Sequence, residues 1–255
     1  MVNLTGVAKY PSCGSVALKQ AQNFAIKKLV SRPYYTHADI ALCLPFIGND
    51  LKPNFFPISY IEKYVNSKVV ENAIEMNPNI TSILKQFGLK PKISEVNIDD
   101  KLKNHLITTY LYSKDIASKC NLSRDSKGTL YKAALVHDVG KALIPEEIVQ
   151  KPGKLTDAER KIIDLHSHLG FEILKTTDLD FEVAEAVRLH HTPIHKKIGN
   201  EISNMLAVSD VFSALKEERA YKPVMSNAQA LDIMKKSENL SQTYVNVLKS
   251  IYGNN

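Results

Sequence analysis

Seven residues stand out as able to do chemistry together: His105, His137, Asp138, His166, His190, His191 and Asp210. His137 and Asp138 are adjacent, and His137 continues a helical apolar face made by Leu130, Ala133 and Ala134. Aliphatic faces rarely end in an imidazole followed by a carboxylate, because a buried charge needs a partner, and a metal ion is such a partner. The pattern recurs. His105 shares a face with Leu102, Leu106 and Thr109, and His166 shares one with Ile162, Leu169, Gly170 and Ile173. His190 lies on the line of Val183, Ala186 and Val187 with His191 beside it, and Asp210 interrupts the apolar run from Met205 to Leu215. For any one residue a hydrogen-bonded core position is an adequate account. For all of them, spread over five helices, a shared metal centre is the better one.

The donor types narrow the metal. Imidazoles mixed with carboxylates and free of thiolates suit Fe, Mn or Zn, and argue against a cage of oxygen alone. Seven ligands exceed what one ion with open positions needs, but suit two ions bridged by a carboxylate. Two such ions about 3.5–4 Å apart can activate water and clamp the oxygens of a phosphoryl group. Lys141, just beyond Asp138 and Gly140, is either an exposed loop lysine or a residue that holds a phosphate oxygen or offsets developing charge.

These residues need helices to carry them, and nearly the whole chain reads as helix. Apolar spacing predicts helices over 15–31, 58–76 and 79–88, with a short one after Thr36 and a break at Asn77-Pro78. The polar stretch 91–100 is loop-like. It divides an N-terminal helical domain, residues 1–97, from a second domain, residues 98–255. Helices then follow at 101–120 and at Lys127 to Val139, ended by Gly140. Thr156 with Glu159 forms a capping-box pattern opening a helix to Thr176, and Asp180 can cap the next one, which runs to His191. Further helices cover 199–218, the segment opened by a second capping box at Ser226 and Gln229, and 241–252. No alternating β pattern of useful length appears, so the fold class expected is an all-α bundle.

Composition bounds the rest. The three cysteines, Cys13, Cys43 and Cys120, are widely spaced and form no CxxC pair, which favours free thiols in a reducing compartment. The N-terminus lacks a basic segment followed by an apolar one, and no run is long enough to span a bilayer. The cytoplasm is the expected location. The net charge of +6 comes from scattered Lys and Arg, without the basic tract or aromatic ladder that a nucleic-acid polymer would call for.

The ordered set of motifs resembles a known family. His105 is followed by HDVGK at 137–141, IPEEIVQKPGKLTDAER at 144–160 and HSHLGFEIL at 166–174. RLHH at 188–191 and LAVSDVFSALKEERAYKP at 206–223 complete the set. Across residues 101–225 the chain is similar to the HD domain superfamily, and IPEEIVQKPGKLT is particularly like its HD-GYP branch of bacterial phosphodiesterases. The resemblance implies an all-helical HD-domain bundle, a binuclear centre of Fe or Mn with Zn, Ni or Mg left open, and hydrolysis of a cyclic dinucleotide such as cyclic di-GMP. By position, it implies that His105, His137, Asp138 and Asp210 hold one ion and His166, His190 and His191 the other, with Asp138 bridging. Asp138 and Lys141 then carry the catalysis. Lys141 matches the family's phosphate-contacting lysine, and Arg219 with Tyr221 matches its Arg-x-Tyr pair.

Two departures are visible. After the paired histidines the branch continues with a segment ending in Gly-Tyr-Pro, whereas this chain has the shorter, basic run from Thr192 to Gly199. There His195, Lys196 and Lys197 form either an exposed loop or a set that approaches a bound phosphate. Some members carry a Glu four residues before the first His, supporting a third ion, but this chain has Lys101, so two ions are expected. His168, two residues past a ligand, points away from it on a helix and reads as a surface residue. Residues 1–97 are either a sensory or regulatory domain or a layer covering the bundle, leaving a homodimer or a signalling partner open. The functions in competition are a cyclic-dinucleotide phosphodiesterase, an HD phosphohydrolase of another nucleotide or phosphoester, and a weakly catalytic signalling module.

Overall fold

The computed structural model describes residues 57–91, 100–196, 200–217 and 224–253. Several expectations lie outside the described residues: the helices over 15–31 and after Thr36, Cys13, Cys43, the loop and domain boundary within 92–99, Lys197, Arg219 and Tyr221. Among the described residues the architecture is all-α with no strand, as expected. No helix among them is long and apolar enough to cross a membrane.

The chain enters through α1 (Pro57–Tyr64), α2 (Ser67–Met76) and α3 (Pro78–Gln86). The single helix expected over 58–76 is therefore two. Asn66 ends the first by donating from Nδ2 to the Glu62 carbonyl at 2.8 Å, and starts the second by accepting from the Val69 N–H at 3.0 Å. A short amide side chain that satisfies both helix ends competes with helix continuation. The break at Asn77-Pro78 is where it was expected: Asn77 accepts from the Asn79 N–H at 3.1 Å, and Pro78 occupies a first-turn position where its missing N–H costs nothing.

The bundle proper comprises α4 (Asp100–Lys119), α5 (Arg124–Val136), a 3-10 turn (Val139–Leu143), α6 (Glu146–Val149), α7 (Asp157–Ile163), α8 (Leu165–Leu174) and α9 (Phe181–Leu189). A second 3-10 turn (Ile194–Lys196) precedes α10 (Glu201–Lys216), α11 (Asn227–Lys235) and α12 (Gln242–Tyr252). The helix expected from Lys127 starts a turn earlier, because Ser123 caps the Ser126 N–H at 3.0 Å. The helix expected from 157 to 176 is interrupted at Asp164, and α6 was not anticipated in the Pro-containing loop. Both capping boxes form, at Thr156 with Glu159 and at Ser226 with Gln229. Asp180 precedes α9 but makes no side-chain cap bond; its carboxylate accepts from Lys132 at 2.6 Å instead.

α4 runs through the middle. Tyr110 meets Tyr131 of α5 edge-on at 5.4 Å, and Tyr112 meets Phe212 of α10 at 4.7 Å. Ile61, Val70, Ala73, Ile80 and Leu84 of α1–α3 are fully buried in the same apolar cluster. A buried polar tie holds α2 and α3 to α8, where Glu172 accepts from Asn77 at 2.7 Å, Asn79 at 3.3 Å and Lys175 at 2.9 Å. With every partner supplied, that buried carboxylate is tolerable and fixes the α8 register.

The 3-10 turn after α5 lies directly on α8. A methyl group at Gly140 would sit 2.0 Å from the His166 carbonyl oxygen and 2.5 Å from the Gly170 nitrogen. Both obstacles are backbone, so neither can swing aside. Gly140→Ala is expected to lift the turn from α8 and destabilise the protein by ~2 kcal/mol or more, typical of overpacking. Urea unfolding of the variant checks this, and an unchanged midpoint would contradict the close packing.

Candidate metal centre

Each of the seven residues singled out in the sequence arrives at one place. His105 comes from the middle of α4, His137 from the C-cap of α5, and Asp138 from the residue after it. His166 is in the first turn of α8, His190 is the C-cap of α9 with His191 next, and Asp210 lies within α10. Three overlapping groups of donor atoms result, each lying within 4.8 Å: His105, His137 and Asp138; His137, His190 and Asp210; and His166, His190 and His191.

Asp138 is central. Its Oδ2 lies 3.4 Å from His105 Nε2, 3.6 Å from His137 Nε2 and 2.6 Å from Lys141 Nζ, while its Oδ1 lies 3.5 Å from His166 Nε2. Asp210 Oδ1 lies 3.1 Å from His105 Nε2 and 3.5 Å from His137 Nε2, and its Oδ2 lies 3.8 Å from His191 Nε2. His191 is the most open of the set, with 39 % of its side chain exposed.

Helix ends orient three of the rings. His137 Nδ1 donates to the Ala134 carbonyl at 2.9 Å, His166 Nδ1 to the Ile163 carbonyl at 2.6 Å, and His190 Nδ1 to the Val187 carbonyl at 2.5 Å. Each acceptor is three residues upstream, in the last turn of α5, α7 or α9, where the helix leaves carbonyls without an N–H partner. This also accounts for the interruption at Asp164, which ends α7 immediately before His166. A carbonyl only accepts, so Nδ1 carries a hydrogen in each ring, and His166 and His190, kept neutral by burial, present a bare Nε2 to the centre.

The consequence is electrostatic. His166 Nε2 and His190 Nε2 face each other at 3.3 Å. Burial is the main cause that lowers the pKa of His166 to about 3, and burial followed by the neighbouring histidines holds His190 well below its usual value. Two lone pairs at that separation repel unless a cation accepts both, so the donor set fits a metal ion. For Asp138, burial pushes the carboxyl upward, but Lys141 and the adjacent histidines outweigh it and hold it well below the carboxylate range. Asp210 is likewise held low against burial by hydrogen bonds from His105 and His137.

His105 differs from the other three. Burial opposes its protonation, but Asp210 and then Glu217 raise its pKa to about 10. Its Nδ1 donates to Glu217 Oε1 in a short hydrogen bond, with Ser213 Oγ 3.3 Å away. Glu217 was not singled out from the sequence. The signal was there: Asp210, Ser213 and Glu217 follow i, i+3, i+7 spacing on one helical face. Lys141 rises above the ordinary lysine range because the charge of Asp138 outweighs burial. His168 is 54 % exposed on its side chain, 3.8 Å from Glu172, and is not part of the centre. His195 and Lys196 are exposed.

The all-helical bundle draws imidazoles and carboxylates from five helices to one point, where they could hold metal. The HD domain family matches residues 68–242, and the chain belongs to it. The match begins within α2, so the centre and α3 both fall inside it. Among characterised relatives, the chain is 28 % identical over 205 residues to the 3'3'-cGAMP-specific phosphodiesterase 3 of Vibrio cholerae, covering 67 % of this chain and 44 % of the relative. It is 32 % identical over 130 residues to the cyclic di-GMP phosphodiesterase response regulator RpfG of Xanthomonas campestris, covering 46 % and 34 %. With a cyclic di-GMP phosphodiesterase of Thermotoga maritima it shares 33 % identity over 118 residues, covering 42 % and 32 %. The matched region is thus less than half of each of these relatives' length.

The protonation states set the pH response of metal-free protein. His166, with a pKa of about 3 against an ordinary 6.5, contributes stability present above 6.5 and lost as pH falls through about 3. His190 acts in the same direction. His105, with a pKa of about 10, contributes stability present below 6.5 and lost as pH rises through about 10. The melting temperature of chelator-treated protein is expected to decline from pH 6.5 toward pH 3, and separately from pH 7 toward pH 10. Thermal melts across that range check it, and a flat acid limb would contradict buried, neutral His166 and His190.

Proposed function

We propose that this chain is a metal-dependent phosphodiesterase that hydrolyses a cyclic dinucleotide such as cyclic di-GMP at a binuclear centre. The observation that carries the reading is the facing pair of unprotonated nitrogens on His166 and His190, beside a carboxylate, Asp138, whose two oxygens address opposite groups of histidines. Relatives named as cyclic di-GMP or 3'3'-cGAMP phosphodiesterases support the substrate class.

In this reading His105, His137, Asp138 and Asp210 hold one ion, and His166, His190 and His191 hold the other, with Asp138 shared. Fe or Mn is the first choice, with Zn, Ni or Mg behind. Lys101, four residues before His105, brings no carboxylate, which favours two ions over three. A pair of divalent ions supplies Lewis acidity toward phosphoryl oxygens and lowers the pKa of water. Asp138 keeps both donor groups in register and stays ionised through the working pH range.

Lys141 stays protonated, so it acts as a cation and hydrogen-bond donor rather than as a base. With 29 % of its side chain exposed, it can reach a phosphate oxygen while still contacting Asp138. His195 and Lys196, on the exposed 3-10 turn after His191, draw an anionic substrate toward that opening, and Arg219 is proposed to assist. A second reading, hydrolysis of another nucleotide or phosphoester, is favoured by the short basic run from Thr192 to Gly199. Residues 98–255 are proposed as the phosphohydrolase unit acting in the cytoplasm. A regulatory role, a homodimer contact or a signalling partner would belong to residues 1–97.

The test is elemental analysis of anaerobically purified protein together with hydrolysis of cyclic di-GMP and 3'3'-cGAMP in Mn or Fe. Near two ions per chain and a linear dinucleotide product are expected. Two ions with turnover of mononucleotides alone would move the assignment to the second reading. Asp138→Ala is expected to lose metal and at least ~100-fold in turnover, on the scale of removing a group that stabilises the transition state. His168→Ala should leave both nearly unchanged, and full metal content in Asp138→Ala would overturn the ligand assignment.

A further inference from the structure

Four buried histidines meet at the centre, but only three are oriented by main chain. His137, His166 and His190 each use a carbonyl released by a helix end. His105 cannot. It sits well inside α4, which runs from Asp100 to Lys119, where carbonyls are engaged in the helical ladder. Its orienting acceptor must come from another element, and Glu217, the C-cap of α10, supplies it. Glu217 is only 23 % exposed on its side chain, and Ser213, one turn earlier on the same helix, closes the other side of His105 Nδ1 at 3.3 Å.

A carboxylate acceptor does more than a carbonyl. It carries a full charge, and such charge-assisted bonds are roughly twice as strong as neutral ones. It draws the Nδ1 hydrogen toward itself, leaves more electron density on Nε2, and makes the imidazole a stronger donor. The three backbone-oriented rings meet neutral carbonyls at Nδ1 instead. We propose that Glu217 is a positioning residue that makes the half of the centre containing His105 the tighter of two metal sites, so that the two ions are held with unequal affinity. The inference rests on the metal reading of the centre given above. On this view α10 serves that half twice, through Asp210 as a direct ligand and through Glu217 behind His105.

The experiment compares wild type with Glu217→Gln, Glu217→Asp and Glu217→Ala. Each is titrated with Mn2+ against a competing chelator over graded concentrations, and the ions retained per chain are followed by elemental analysis as two successive steps. Glu217→Gln is close to isosteric and preserves folding should the alanine variant fail, with far-UV circular dichroism as the control. Loss of an orienting partner of this kind costs about 10–100-fold in metal affinity. Wild type is expected to release its ions in two separated steps; Glu217→Gln shifts the tighter step about 10–100-fold toward weaker binding and leaves the other in place, and Glu217→Asp, which restores the charge, moves it back. A purely structural role would not separate the two sites or be rescued by charge. A single step in wild type, an unmoved tighter step in Glu217→Gln, or both steps moved together overturns the proposal while leaving the metal centre standing. A wild type that binds no Mn2+ at all overturns both.

Discussion

Bare imidazole nitrogens held face to face in a dry interior are unstable on their own. His166 Nε2 and His190 Nε2, at 3.3 Å, are such a pair. Burial disfavours protonation of His166 and His190, the backbone has already claimed their only hydrogens, and no water is needed to see that the remaining lone pairs repel. The fold is arranged to keep this unfavourable contact in place. That is the property expected of a site whose stability is completed by a cation rather than by its own hydrogen bonds.

The restraint comes from helix termination. α5, α7 and α9 each stop where a histidine can take a carbonyl of the last turn, so the same event that ends the helix aims the ring. The turn carrying Asp138 and Lys141 is then pressed onto α8 at Gly140, which leaves no room for a side chain. α2 and α3 brace the far side of α8 through Glu172, so the helix that carries His166 is held from both directions. Apolar packing and polar satisfaction therefore converge on the same few helices.

Charge is distributed unevenly over this frame. Asp138 is balanced by Lys141 within the site, and Asp210 by His105 and His137. Glu217 adds a third carboxylate behind His105, whereas His190 Nδ1 meets the neutral Val187 carbonyl. Lys141 is partly exposed beside Asp138, and His191 is the most open of the histidines.

Much of this was legible in the residues alone. Period-3.6 apolar spacing located α4, α5, α9 and α10, and the inward-facing histidines and aspartates at those helices, with His166 on α8, are the seven residues that the fold brings together. The capping boxes at Thr156 and Ser226 were equally plain, because a cap is a contact over three residues and needs nothing distant. Local sequence failed where the deciding partner lies far along the chain. The interruption at Asp164 reflects the turn after α5 resting against α8 and the His166 ring taking the Ile163 carbonyl. Asp180 turned from capping because Lys132, forty-eight residues earlier, competes for its carboxylate. Glu217 has no local partner among the described residues that marks it out, and only packing brings it to His105, 112 positions away. Helical periodicity and caps are short-range and written into composition, whereas which lone pair meets which, and at what distance, follows only from how the helices pack.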